Sequence, residues 1–288
     1  MKRAIGWVCA SRVRQVCVLV VLGCLLFLPR LGATGFSMSE GHRVVPAWEM
    51  LDDARAGEPH WLVPRMFGTI YLRKPPGALW AIAASSAVFG ETEFAARLPS
   101  AITAITLALA VWFFATRWFG SPWGLAAGLA QVLLPVTWPS ARSAEIESLH
   151  MLTTGLACLL IVDWFVFAPR MRCGGWRRWG RAVLLGFALL GMFVSKGLAG
   201  APFVLAALVV AIALSPKTKG TSQKGASQKK PRVFLSQQMI FLLPVLCAIV
   251  GAVLAVLMVL AQGAFKKHYY QFWAIAGEIN AIRNPERL

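Results

Sequence analysis

Tyr71-Leu-Arg-Lys-Pro-Pro76 places two adjacent cations, Arg73 and Lys74, directly before a proline pair and an apolar stretch. A guanidinium fork beside a lysine point charge supplies the donors that a phosphate group requires. The Pro-Pro pair stiffens the entry into the following helix. Interfacial anchoring by Tyr and Lys explains the same residues, and spacing alone leaves both readings open. Upstream, Ser39-Glu-Gly-His-Arg43 offers Glu40 and His42 as groups able to take a proton from a hydroxyl. A carboxylate at that place also fits a helix cap. Arg142, Glu145 and Glu147 cluster at the end of an apolar run, where they serve either a cavity or the headgroup layer. Lys196, flanked by Val194 and Leu198, needs a partner or a polar cavity. His268-Tyr-Tyr-Gln-Phe-Trp273 fits either an aromatic belt or a site.

These groups must be positioned by a very apolar chain. It has 288 residues, 58% of them hydrophobic and only 14% charged. A soluble protein of this length needs far more charged surface. Runs close to the roughly 17–25 residues that cross a bilayer recur along it, and lipid forces such runs to be helical. The alternating short segments of an outer-membrane barrel are absent. The sequence therefore predicts an all-α polytopic membrane protein of about seven transmembrane helices. The spans read as Val16–Leu28, Phe94–Phe114, Trp123–Trp138, Leu149–Phe167, Ala182–Val194, Leu198–Leu214 and Ile240–Ala261. Residues 1–32 form the N-terminal segment and first span, an uncleaved signal-anchor because further spans follow. Residues 33–93 are a large first loop with short interfacial helices, one of them around Trp48, Met50 and Leu51, and its apolar stretch Pro76–Phe89 is short for a span. Residues 94–214 hold spans with short loops, and Ser195-Lys196-Gly197 is the tip of a tight hairpin. Residues 215–235 are a basic low-complexity loop, 236–262 the last span and 263–288 an outer segment.

Charge sign sets the orientation. With the N-terminus in the cytosol, segments 1–15, 116–121, 169–181 and 215–235 fall on the cytosolic side. They hold sixteen of the twenty-nine Lys and Arg residues and none of the twelve Asp and Glu. That is the positive-inside pattern. The net charge of +17 therefore reports orientation and inner-leaflet contact rather than nucleic acid. The first loop, 139–148, 195–197 and 263–288 then converge on the outer face. None of the six cysteines lies in an outer loop or has metal-ligand spacing, so no disulfide framework is expected.

In register, Glu40-Gly-His-Arg43, Glu49-Met-Leu51, Trp61-Leu-Val-Pro-Arg65, Tyr71-Leu-Arg-Lys-Pro-Pro76, Phe89-Gly90 and Ala96-Arg-Leu-Pro99 resemble the start of the GT-C membrane glycosyltransferases. The resemblance is to their aminoarabinose-transferase and protein-mannosyltransferase-like branch. It continues through Ala141-Arg142, Glu147, Ser195-Lys-Gly197 and His268-Tyr269 and covers nearly the whole chain. It implies transfer of a sugar from a polyprenyl-phosphate carrier to an acceptor hydroxyl or lipid at the outer membrane face. In that reading Glu40 is the base and Glu147 a second catalytic carboxylate. Arg65, Tyr71, Arg73, Lys74, Arg142, Lys196 and His42 hold the donor phosphate, while a divalent metal, with His268 as a ligand, stays open. Sugar and acceptor are not specified.

Three departures stand out. Ser39-Glu40 replaces the family's Asp-Glu pair, Arg73 replaces the acidic residue before Lys-Pro-Pro, and Glu147 replaces an aspartate. Members commonly continue beyond the position where this chain stops, which raises the expectation of a shortened member, a fragment or one half of something. Two rival functions follow: a catalytically inactive relative serving as a membrane assembly partner, and a transporter. The latter wants ionisable groups along a path, and only Asp163 lies within a run.

The orientation is testable by single-cysteine labelling from outside the cell. Cysteines introduced in 45–70 and 270–285 should react, and those in 172–180 and 218–230 should not. Outside labelling of 218–230 would reverse the topology.

Overall fold

A computed structural model of the chain describes residues 11–168 and 175–215. The predicted span Ile240–Ala261, the 215–235 loop beyond Ser215 and His268 lie outside the described residues. The described part is almost entirely helical. Its elements are α1 (Arg12–Phe27), α2 (Met38–Arg55), a two-stranded hairpin β1 (Arg65–Met66) and β2 (Thr69–Ile70), α3 (Gly77–Phe89) and α4 (Glu93–Phe119). They continue with α5 (Ser121–Leu133), α6 (Thr137–Ala141), α7 (Glu147–Val162) with a π-helical turn at Asp163–Phe167, α8 (Gly175–Lys196), a 3-10 turn at Gly197–Gly200, and α9 (Ala201–Ala213).

Among the described residues three stretches are long and apolar enough to cross a membrane: Glu93–Phe119, Glu147–Phe167 and Trp179–Ala213. The last is two legs, because Gly197 takes a positive φ of 65° and ends α8. The second leg runs back, so that Ala211 packs with Phe114, Leu160 and Leu185. Helices α1 and α5, of 16 and 13 residues, pack into the same bundle among the described residues. A count of seven spans is not established by these elements. The coarser reading, a polytopic helical bundle, is what they form.

Small residues let the helices approach closely. Ala101, Ala104 and Ala108 on α4 make a low ridge that receives Leu19 and Phe27 of α1, with Leu125 and Val132 of α5 behind it. Without a hydrophobic gradient in lipid, such close contact is what holds helices together. The first loop covers one end of this bundle. Val44, Ala47 and Met50 of α2 pack on Leu79, Ile82 and Ala83 of α3, against Ala96 of α4 and Ala144. Trp48 Nε1 donates to Ser86 Oγ across the α2–α3 seam at 3.0 Å.

Lys74-Pro-Pro76 is placed by a glycine. A Cβ on Gly77 would lie 2.7 Å from the Val194 carbonyl oxygen, so only glycine lets the start of α3 meet the end of α8. Gly77→Ala should therefore lower stability by about 1–3 kcal/mol in thermal unfolding of the detergent-solubilised chain. Gly41→Ala on α2, where an added Cβ meets nothing within 4 Å, should be neutral or mildly stabilising. Equal effects at both positions would contradict the α3–α8 contact.

Candidate functional site

The first-loop end is organised around Glu40 and Arg97. Ser37 caps α2 in a capping box: its hydroxyl accepts from Glu40 N at 3.4 Å, and Glu40 Oε2 accepts from Ser37 N at 2.8 Å. Arg97, in the first turns of α4, donates from Nε to Glu40 Oε1 at 2.8 Å and from Nη2 to Oε2 at 3.0 Å. Its remaining N–H groups reach the carbonyls of Leu31, Thr34 and Gly35 at 2.8–2.9 Å. Ala144 N donates to Glu40 Oε1 at 2.8 Å. Both side chains are almost fully buried, and the Phe36 ring covers the guanidinium at 5.4 Å. This one pair joins the end of α1, the start of α2, α4 and the segment before α7.

That environment revises the role expected for Glu40. Burial by itself would raise its pKa, but the hydrogen bonds from Arg97, Ala144 N and Ser37 N outweigh it and hold the carboxyl down at about 2. Each oxygen already accepts two hydrogen bonds. A carboxylate so satisfied is a weak proton acceptor and has no room for a hydroxyl. Arg142 donates to the carbonyls of Leu26, Phe27 and Pro29 at 2.8–3.1 Å and so satisfies the C-terminus of α1.

The other predicted residues form two neighbouring groups. In the first, Arg43 pairs with Glu145 at 2.9 Å and also donates to the Ser39 carbonyl. His42 stacks on Tyr71 with ring centroids 6.4 Å apart and planes 10° from parallel. Burial, then the positive charges of Arg73 and Arg43, push the His42 pKa down against the opposing pull of Glu145. The imidazole is therefore neutral near pH 7, and its buried Nδ1 has no hydrogen-bond partner among the described residues. Tyr71 is buried and its phenol is pushed up, chiefly by that burial.

In the second group, Lys196 at the end of α8 pairs with Glu147 at the start of α7 at 3.0 Å. Glu147 Oε2 is shielded and accepts no hydrogen bond among the described residues. Next to it, His150 Nδ1 lies 3.0 Å from Ser195 Oγ. Arg65 on β1, Arg73 and Lys74 make no side-chain ion pair or hydrogen bond among the described residues, so three cations stand uncommitted at this end. Also among the described residues, no three His, Cys, Asp or Glu side chains gather closely enough to hold a metal ion. Arg73 stands where the family resemblance would put an acidic ligand.

Sequence reasoning passed over Arg97, Arg43 and His150 as site residues. Arg97 carried a signal, since a charge in the first turns of an apolar span must find a partner. His150 carried none, because nothing local ties it to Ser195, 45 positions away.

The ion pair makes a pH prediction. The folded pKa of Glu40 lies below its ordinary value of 4.5, so the unfolded chain binds this proton more readily than the folded one. The stabilisation is fully present above 4.5 and is lost as pH falls toward about 2. Thermal unfolding against pH should show this acid limb in the natural chain, and Arg97→Gln should shrink it. An unchanged limb would contradict the pair.

Comparison with known proteins agrees with this architecture. The family model of dolichyl-phosphate-mannose-protein mannosyltransferase matches residues 73–247. Relatives include undecaprenyl phosphate-alpha-4-amino-4-deoxy-L-arabinose arabinosyl transferases. That of Pseudomonas savastanoi pv. phaseolicola is 29% identical over 63% of this chain and 33% of its own length. That of Pseudomonas aeruginosa is 27% identical over 70% of this chain and 34% of its own. The chain thus spans about a quarter to a third of the length of such relatives. Among solved structures, ArnT from Cupriavidus metallidurans bound to undecaprenyl phosphate superposes with a TM-score of 0.67, at 19% identity over 88% of this chain and 42% of that one. Its apo form gives 0.64 at 20% identity, over 90% and 43%. With three membrane-length helices among the described residues and a family match over more than half of the chain, this is an integral membrane protein belonging to the dolichyl-phosphate-mannose-protein mannosyltransferase family.

Proposed function

We propose that this chain carries the first-loop part of a membrane glycosyltransferase, which moves a sugar from a polyprenyl-phosphate carrier to an acceptor hydroxyl at the outer face of the membrane. The observation that carries the reading is the meeting, at one end of the bundle, of uncommitted cations with a partly exposed carboxylate, Glu147. The acceptor oxygen attacks the anomeric carbon, the bond from that carbon to the phosphate oxygen breaks, and polyprenyl phosphate leaves. Glu147, whose side chain is 39% exposed, takes the hydroxyl proton, while Lys196 lies 3.0 Å from its Oε1. Arg65, Arg73 and Lys74 neutralise the phosphate as it leaves, and the neutral His42 and Tyr71 border it. Glu40 keeps the frame. The outer orientation rests on the distribution of Lys and Arg along the loops. The relatives' names support a lipid-phosphate donor.

One observation favours the inactive-relative reading instead. The carboxylate at the family's first-loop position is fully occupied, and Ser39 stands beside it. Two variants separate the readings. Glu147→Gln should retain carrier binding and lose transfer by about 10²–10⁴-fold, the usual contribution of a positioned base. Lys74→Ala should weaken carrier binding by about one to two decades, the cost of one charge-assisted contact. Transfer assays with polyprenyl-phosphate sugars and equilibrium binding of the carrier phosphate are the measurements. Full transfer by Glu147→Gln would remove it as the base. Carrier binding without transfer by the natural chain, across the donor sugars, would favour the assembly-partner role.

A further inference from the structure

The side chains of Lys196 and Glu147 are 34% and 39% exposed. An ion pair that open is worth little by itself and does not hold two flexible side chains in one geometry. Transfer through Glu147 nevertheless needs Lys196 in a fixed place beside it. The backbone adds no rigidity at that point. Lys196 leaves the helix with φ −143° and ψ 19°, and Gly197 follows at φ 65°. The turn between α8 and α9 therefore has to be held by side chains.

Helix α7 supplies the hold. Glu147, His150 and Thr154 are spaced i, i+3 and i+7, so they share one face of the helix. Each meets one residue of the segment 195–200. Glu147 meets Lys196. His150 Nδ1 lies 3.0 Å from Oγ of Ser195, which is fully buried. A Cβ on Gly200 would lie 2.5 Å from Thr154 Oγ1, so the turn rests closely against α7 there too.

The hydrogens of the middle rung are assigned by the network. Ser195 has one hydroxyl hydrogen and donates it to the Met192 carbonyl at 2.9 Å. Its oxygen therefore accepts at the other contact, and His150 Nδ1–H donates. Nε2 is left as the acceptor and faces the Thr154 hydroxyl at 3.5 Å. The neutral ring thus ties α7 to the residue directly before Lys196, with both nitrogens engaged.

We propose that His150 is a positioning residue for transfer: by donating to Ser195 it fixes the α8–α9 turn and so sets Lys196 against Glu147. The role rests on the reading of Glu147 as the base. His150 takes no proton from the acceptor, and its effect reaches the reaction through Lys196.

The test has a readout that does not depend on activity. A water-soluble carbodiimide joins a carboxylate to an amine only where the two are in contact, and peptide mass spectrometry of the full chain in detergent reads the Glu147–Lys196 amide. The natural chain should form it. His150→Leu keeps the bulk without the donor, and Ser195→Ala removes the acceptor. Each should lower the yield roughly two- to tenfold, the population shift that one lost hydrogen bond allows. His150→Asn, whose amide N–H can stand near the place of Nδ1, should restore it. Transfer in the same variants should follow the cross-link, with kcat falling by that factor and the donor KM unchanged. No cross-link in the natural chain, or an undiminished one in folded His150→Leu and Ser195→Ala, would overturn the proposal. Loss of transfer in His150→Asn with its cross-link intact would also overturn it, by giving the imidazole chemistry of its own. A cross-link that follows His150 while transfer does not would keep the positioning of Lys196 and remove Glu147 as the base, which tells the two failures apart.

Discussion

The burial of Arg97 constrains everything at the first-loop end. A guanidinium in the first turns of a membrane-length helix is tolerable only if every N–H finds an acceptor and the charge finds a partner. Glu40 supplies the charge and two acceptors; the carbonyls of residues 31, 34 and 35 supply the rest. Meeting that demand draws the end of α1, the α2 cap and the Ala144 amide to one point. Removing one partner from such a pair typically costs about 3–5 kcal/mol, because the other is left buried and unpaired. The first loop is therefore folded onto the bundle by an electrostatic requirement as much as by apolar packing.

Charges at the ends of the spans repeat this logic. Helix α4 carries Arg97 near one end and Arg117 near the other, α7 carries Glu147 and then Asp163 just beyond its end, and α8 carries Arg181 and Lys196. They pair across helices at matched depth: Lys196 with Glu147 at one end, Arg117 and Arg181 with Asp163 at the other. Sliding one helix by a turn, about 5.4 Å, would break both sets at once. Register is thereby fixed without any hydrophobic gradient between helices. The consequence for function is that Glu147, Lys196 and the segment before α3 meet in a reproducible geometry, with Gly77 allowing α3 to touch α8. Pairs on rigid helices position better than the same residues on loops.

Much of this was legible in the residues. Apolar runs of bilayer length and the sign of the loop charges lead to a spanning bundle without further help. The hairpin at Ser195–Gly197 was legible because a lysine and a glycine interrupt two apolar legs. The Lys-Pro-Pro and Ser-Lys-Gly motifs, far apart in the sequence, are brought together where Gly77 meets Val194. What stayed hidden was long-range pairing. Glu40 reads equally as a base or a cap until Arg97, 57 positions on, is seen to hold both its oxygens. Arg142 reads as a phosphate ligand until α1, more than a hundred positions earlier, presents its unpaired carbonyls. A local pattern cannot separate a saturated, buried carboxylate such as Glu40 from a partly exposed one such as Glu147.

The central claim is that Glu40 frames the site and performs no chemistry in it. The most direct measurement is transfer per folded molecule in the double variant Glu40→Gln, Arg97→Gln, which replaces the buried ion pair by a neutral amide pair of similar shape. Transfer from a polyprenyl-phosphate sugar, normalised to the folded fraction, should stay within a few-fold of the natural chain even if thermal stability falls. A double variant that folds and binds carrier phosphate normally, yet loses transfer by about 10²-fold or more, would show that Glu40 handles the proton and would contradict the account.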